Sequence, residues 1–449
     1  MQVISNNYSC SSVKKPHQVS SISCLVKAWV IWIVAASFYS YEFFLRISPS
    51  VMVADLMHSL KVSAQALGTL SACYYYAYAV MQIPVGILLD QHGVKRLLVF
   101  AAAMVAVGSV MFAMADTLWV VCFGRVLMGI GSAFSFVGCL KLAANWFAAG
   151  QFSVVIGLTN MLGVLGAIGA SAPLAYLVEN FGWRHTMLIA GIVGALLAIL
   201  IKIVVQDEPG NFDEVTNLGS EVSAQDDTET AKSSWTEKLY GVVRCPLNWL
   251  IAIYGGLMVA PIAGFTELWG VPFFMQAAHL SRPEAAGISS IVFMGIALGG
   301  PINGWISGII GKRKPLMFVG AIGACLCLFT VLHIPQMNLM LLSVLLFMFG
   351  FFTSSMLLAF VLVKECNPPW VTGIVIGFTN MIVMLGGTIF QPLLGWLLDK
   401  EQSFNVAHHL QLSLSTSQYQ HVLLLLPACQ VAALIVLLCL KETHCRRRI

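Results

Sequence analysis

Twelve stretches of this sequence are apolar over about twenty residues each, the helix length that the hydrocarbon core of a bilayer requires. They begin near Lys27, Ala66, Leu97, Leu118, Ser153 and His185, and again near Trp249, Ala285, Pro315, Leu339, Trp370 and Tyr419. A backbone in lipid must satisfy its own polar groups, so such runs are expected to be helices. The 449 residues are 58% hydrophobic and 10% charged, against roughly 25% charged in a soluble domain, which excludes a soluble class. The first run is itself long enough to span, so a retained first helix is expected rather than a cleaved signal peptide.

Between the sixth and seventh runs lies a polar stretch rich in Asp and Glu. The expected layout is a polar N-terminal tail at 1–24, a six-helix half at 25–205, a cytoplasmic linker at 206–245, a second six-helix half at 246–440 and a basic tail at 441–449. An even number of spans puts both termini on one side. With the termini inside, the inner segments hold eighteen Lys and Arg and the outer loops hold four, Lys61, Arg184, Arg282 and Lys400. That bias predicts cytoplasmic termini in the inner, plasma membrane of a bacterium. The net charge of +4 points to no nucleic-acid partner. The twelve cysteines form no CxxC pair and no Cys/His zinc spacing, so neither metal nor cofactor is expected.

The halves repeat one another. VIGLTNM at Val155–Met161 returns as VIGFTNM at Val375–Met381, six of seven residues identical. Gly86 and Gly93 return as Gly304 and Gly311 in GWISGIIGKRK. The expected fold class is therefore all-α integral membrane, with twelve transmembrane helices in two pseudo-symmetric halves. Internal repeats of this kind commonly build transporters whose substrate site lies between the halves. Gly300, Gly304 and Gly308, spaced by four, are read as a close-packing face.

The second and third runs are joined by GILLDQHGVKR. Asp90 at the end of the second helix is placed to face the positive N-terminus of the eleventh, whose start Asn367, Pro368 and Pro369 mark as a polar cap followed by prolines. This segment resembles the loop signature of the major facilitator superfamily, and Gly86, Asp90, Gly93, Lys95 and Arg96 all match it. RVLMGIG at Arg125–Gly131 is similar to the family's fourth-helix signature, and Gly182–Arg184 to a common entry to the sixth. The resemblance covers nearly the whole chain. It implies alternating access, with the first, fourth, seventh and tenth helices lining a cavity. Gly308 stands where the repeat would place a second Asp90, so the resemblance implies this lock in one half only.

Intramembrane ionisable residues mark functional positions by default. Here they are Glu42 and Arg46 in the first helix, Arg125 in the fourth and Glu267 in the seventh. Glu42 and Arg46, four apart, share a helix face with Tyr39. Either Arg46 holds a substrate carboxylate while Glu42 binds an amine or a proton, or the two form an internal ion pair. Glu267 follows Pro261 and Gly264 and is a candidate proton carrier with Glu42; the bland alternative is a helix-end residue near the outer surface. Arg125 is assigned to the cavity on the family signature, against a snorkelling role. Tyr74 and Tyr78 either line a polar cavity or pack against the eleventh helix. Asn160 and Asn380 either bond substrate or bond between helices.

The expected function is secondary active transport of a small polar solute, proton-coupled uptake of an amino acid, short peptide or organic anion, by a monomer whose partners are substrate, protons and lipid. The alternative is a sensor or scaffold that keeps the transporter fold without moving solute. No nucleotide loop, metal cluster or nucleophile constellation points to an enzyme.

Overall fold

The computed structural model describes residues 22–147, 149–208, 235–334, 337–407 and 414–444. The polar tail at 1–21, most of the linker and the last five residues lie outside them, as does the side chain of Asp90.

The chain is helical throughout these segments. The first half comprises α1 (Ile22–Ile47), the short α2 (Val53–Leu60), α3 (Ala64–His92), α4 (Val94–Met114), α5 (Leu118–Trp146), α6 (Ala149–Gly169) and α7 (Ala172–Val204). Then come α8 (Trp235–Arg244), α9 (Pro246–Pro261), a π-helical stretch at Ile262–Trp269, α10 (Gly270–Ala277), α11 (Arg282–Ile310), α12 (Lys314–His333), α13 (Leu339–Thr353), α14 (Leu357–Glu365), α15 (Thr372–Ala407), α16 (Thr416–Leu423) and α17 (Leu425–Cys439). Eleven continuous helical runs are long and apolar enough to cross a bilayer, but one, Val154–Val204, is 51 residues long. It breaks at Gly182, whose φ of 77° and ψ of 156° leave helical space, so it is two spans and the total is twelve.

Each half packs on itself, α4 against α5 and α7, and α11 and α12 against α13. The halves meet along two seams, α3 against α15 and α11 against α6 and α7. On the face opposite the chain termini both seams are shut. A Cβ on Gly395 would stand 2.3 Å from the Ala64 carbonyl oxygen, and one on Gly68 would stand 2.4 Å from that of Gln391, so no larger residue fits this approach. Arg282 at the start of α11 pairs with Asp55 of α2 at 2.7 Å. Towards the termini face the seams part. The α3–α15 seam stays joined as far as Gln82 and Asn380, which are hydrogen-bonded at 2.8 Å. Beyond it, a Cβ on Gly86 or Gly373 would meet nothing within 4 Å, and the same holds for Gly157 of α6 and Gly304 and Gly308 of α11. The molecule is shut on one face and open on the other.

One expectation needs correction. Gly304 and Gly308 face open space, and of the glycine stripe Gly300 alone has a close neighbour, Leu357. A stripe of small residues permits close packing but supplies no partner. Asn367 precedes the eleventh span. Its buried amide pairs with that of Asn248, at 2.7 and 3.2 Å, and donates to the Val363 carbonyl.

Candidate functional site

The first and seventh spans bring three ionisable groups together at the boundary between the halves. One face of α1 carries Glu42 and Arg46, with Arg46 Nη1 3.5 Å from Glu42 Oε1. Arg46 Nε lies 3.6 Å from Glu267 Oε1, across the boundary. Exposure is 0% for Glu42, 8% for Arg46 and 4% for Glu267, so the triad is sequestered. Glu267 is therefore buried and paired. Its basic partner comes from the other half of the chain.

Local backbone chemistry aims Glu267 inward. Pro261 removes a helix donor, and the chain continues as π-helix over Ile262–Trp269, with all eight residues buried. Two hydrogen bonds fix this stretch to α15, from Gln391 Nε2 to the Ala263 carbonyl at 2.9 Å and from Trp269 Nε1 to the Gln391 carbonyl at 3.3 Å. The helix is thus rewound rather than broken.

The two carboxylates are held unequally. Tyr74 of α3 donates its hydroxyl to Glu42 Oε1 at 2.7 Å, so Glu42 has a hydrogen-bond donor besides Arg46. Among the described residues neither Glu267 Oε2 nor Glu42 Oε2 has a hydrogen-bond partner, nor has Arg46 Nε. Contacts of 3.5 and 3.6 Å exceed the 2.7–2.9 Å of a charge-assisted hydrogen bond, so the guanidinium fork is paired but not saturated. Arg46 also lies over the Phe43 ring, 3.9 Å from its centroid. One cation faces two carboxyl groups, and a buried charge left without a partner costs several kcal/mol.

Arg125 is fully buried and turned to backbone. It donates to the carbonyls of Leu45 at 2.8 Å, Arg46 at 3.4 Å and Ser71 at 3.3 Å, and lies over Tyr74. It therefore ties the end of α1, where Pro49 turns the chain into a short 3-10 segment, to α3. Tyr39 packs on Phe43 and Phe136, and Tyr78 stacks on Tyr74. Asn380 reaches Gln82, whereas Asn160 is exposed and bonds within its own helix, to the Ile156 carbonyl. The repeat pair thus diverges in surroundings.

The loop after α3 is built as its glycines require. Gly93 has φ 79° and ψ 155°, and a Cβ there would meet Asp207 Oδ2 at 2.8 Å. Asp207 in turn accepts from the Lys95 amide at 2.6 Å. In the second half Glu442 accepts from the amides of Arg313 and Lys314 at 2.9 and 2.8 Å. Burial alone pushes the Glu442 carboxyl up, but these amides with those of His444 and Thr443 outweigh it and hold it below the usual carboxylate range. Arg313 also pairs with Glu365 at 2.9 Å. Asp207, Glu365 and Glu442 carry no signature visible in sequence beyond an acidic residue near a helix end.

The sequence pattern of the Major Facilitator Superfamily matches residues 31–391. "Probable galactarate/D-glucarate transporter GudP" of Bacillus subtilis (strain 168) is 23% identical over 388 residues, covering 81% of this chain and 84% of that one. "Membrane sensor protein UhpC" of Escherichia coli (strain K12) is 22% identical over 380 residues, covering 82% and 84%. Among solved structures, an inward-facing, occupied bacterial homolog of the human lysosomal transporter Spinster superposes with a TM-score of 0.72 at 14% identity, covering 91% of this chain and 96% of that one. A family match across most of the chain, with a twelve-helix fold to go with it, places this multi-pass membrane protein in the Major Facilitator Superfamily of secondary transporters, not among enzymes.

Proposed function

We propose that this chain moves a small carboxylate-bearing solute together with a proton, Glu267 taking up the proton as the solute carboxylate replaces it at Arg46. The observation that carries the reading is the buried Glu42–Arg46–Glu267 triad bridging the halves. Glu42 keeps its place through Tyr74 and the shared helix face. Glu267 is held by Arg46 from across the boundary, so it is the carboxyl group that gives way. When Glu267 takes a proton, the Arg46 fork is free on that side, and a solute carboxylate replaces the lost charge. The site's total charge is the same before and after, which avoids stranding a charge in a low dielectric. Relatives described as galactarate/D-glucarate transporters make organic anions the first class to test, ahead of amino acids and short peptides. The basic bias supports a cytoplasmic termini face, and on that reading the conformation is open inward. Arg125 serves as the clamp that positions α1 rather than as a ligand.

Thermal stabilisation by galactarate, D-glucarate, amino acids and dipeptides tests the class, because a ligand at 100 times its dissociation constant stabilises by about 2.7 kcal/mol. Stabilisation by acids, lost in Arg46→Gln, is the expected result; stabilisation by uncharged solutes alone would contradict it. A second reading, a sensor that binds without transporting, is favoured by the likeness to a protein described as a membrane sensor. Binding without uptake into proteoliposomes would establish it.

A further inference from the structure

We propose that Asp399 is a lock on the face opposite the chain termini, holding that face shut in this conformation, as the sequence resemblance implies for Asp90 on the termini face in the other. Asp399 sits two turns before the end of α15, in the second half. Its carboxylate crosses to the first half and accepts from the first two amides of α3, Ala64 N to Oδ1 and Gln65 N to Oδ2, both at 2.8 Å. The four amides at a helix start have no partner within the helix. Ser63 serves the Ala66 amide from its own side chain, at 3.3 Å, so the first two are left to the other half of the molecule. A carboxylate there also meets the positive end of the helix dipole. The clasp lies where Gly395 approaches the Ala64 carbonyl and closes the seam.

The α3–α15 seam is antiparallel. The start of α3 faces the end of α15, and the end of α3, bearing Asp90, lies towards the start of α15 at the parted face. A carboxylate near the end of each helix and a helix start opposite it give two locks on one seam that cannot both be closed. Among the described residues the other seam lacks the device on this face. The start of α11 caps itself through Ser281 and Glu284, and Glu179, 220 residues before Asp399, is exposed. Asp55 with Arg282 bridges that side instead. Sequence repeats hide Asp399 because they align it with Glu179, whereas its functional counterpart lies on a different helix.

Hydrogen–deuterium exchange on the full-length protein in lipid nanodiscs tests this and requires neither substrate nor transport, so its outcome is separate from that of the proton–carboxylate exchange. In Asp399→Asn, residues 53–70 and 282–290 should exchange on the order of tenfold faster. Residues 84–92 and 372–380 should exchange more slowly, because opening one face closes the other. Faster exchange confined to residues 64–66 would overturn the proposal, leaving Asp399 a local cap. If Asp399→Asn loosens every helix, Gly395→Ala decides, since its methyl group wedges the same seam without removing a charge. That variant must show the same reciprocal pattern, and its absence would refute the lock.

Discussion

Arg46 shares one guanidinium between two carboxylates, and the two are predicted to behave differently when neutralised. Glu42→Gln removes the partner fixed by Tyr74 and leaves Glu267 to exchange its proton, so accumulation driven by a pH gradient should persist with altered affinity. Arg46→Lys keeps the charge but loses the planar fork, and the dissociation constant for an acid should rise about tenfold, roughly 1.4 kcal/mol, by calorimetry. Arg125 is different again. With three backbone carbonyls as partners, Arg125→Met should lower stability by on the order of 2–3 kcal/mol in thermal unfolding. An unchanged melting temperature with lost affinity would return Arg125 to the substrate site. At the termini face, Glu442 has its carboxyl held low, so its contribution is complete above the ordinary carboxylate range and is lost as pH falls through the depressed value. Glu442→Gln should therefore blunt the acid destabilisation of the start of α12, followed by amide exchange between about pH 3 and pH 6.

Helices were the most legible elements, because lipid imposes a run of about twenty apolar residues on each and the sequence has little room to disguise it. The Glu42–Arg46 face was legible for the same kind of reason, a spacing of four on a helix already located. The Arg46–Glu267 pair was not, since nothing in a linear sequence states how one half registers against the other. Pro261 and Gly264 signalled an irregularity but not its form, and π-helix rather than a break is what buries Glu267. Asn367 before two prolines was legible as a helix start, but its pairing with the buried Asn248 amide, 119 residues away, was not. Asp207 lay hidden in an acidic run. Its contact makes the loop after α3 testable: Gly93→Ala adds a methyl group against Asp207 and forces a Gly-only conformation, at a cost of on the order of 1–3 kcal/mol in unfolding.

For the whole molecule, two six-helix halves shut at one face and open at the other give alternating access a physical form, and the triad lies where their relative motion would be felt. The central claim is that Glu267 takes up a proton as a solute carboxylate replaces it at Arg46. Its most direct test uses Glu267→Gln in proteoliposomes, with the acid that most stabilises the wild-type protein as the probe. Two quantities are measured, exchange of labelled acid with no gradient and accumulation under an imposed pH gradient with the membrane potential clamped. Without Glu267 the acid can bind Arg46 with no proton, so exchange should survive while accumulation falls to the level of equilibration. Accumulation at the wild-type level in Glu267→Gln would contradict the account and leave Glu267 a structural partner of Arg46.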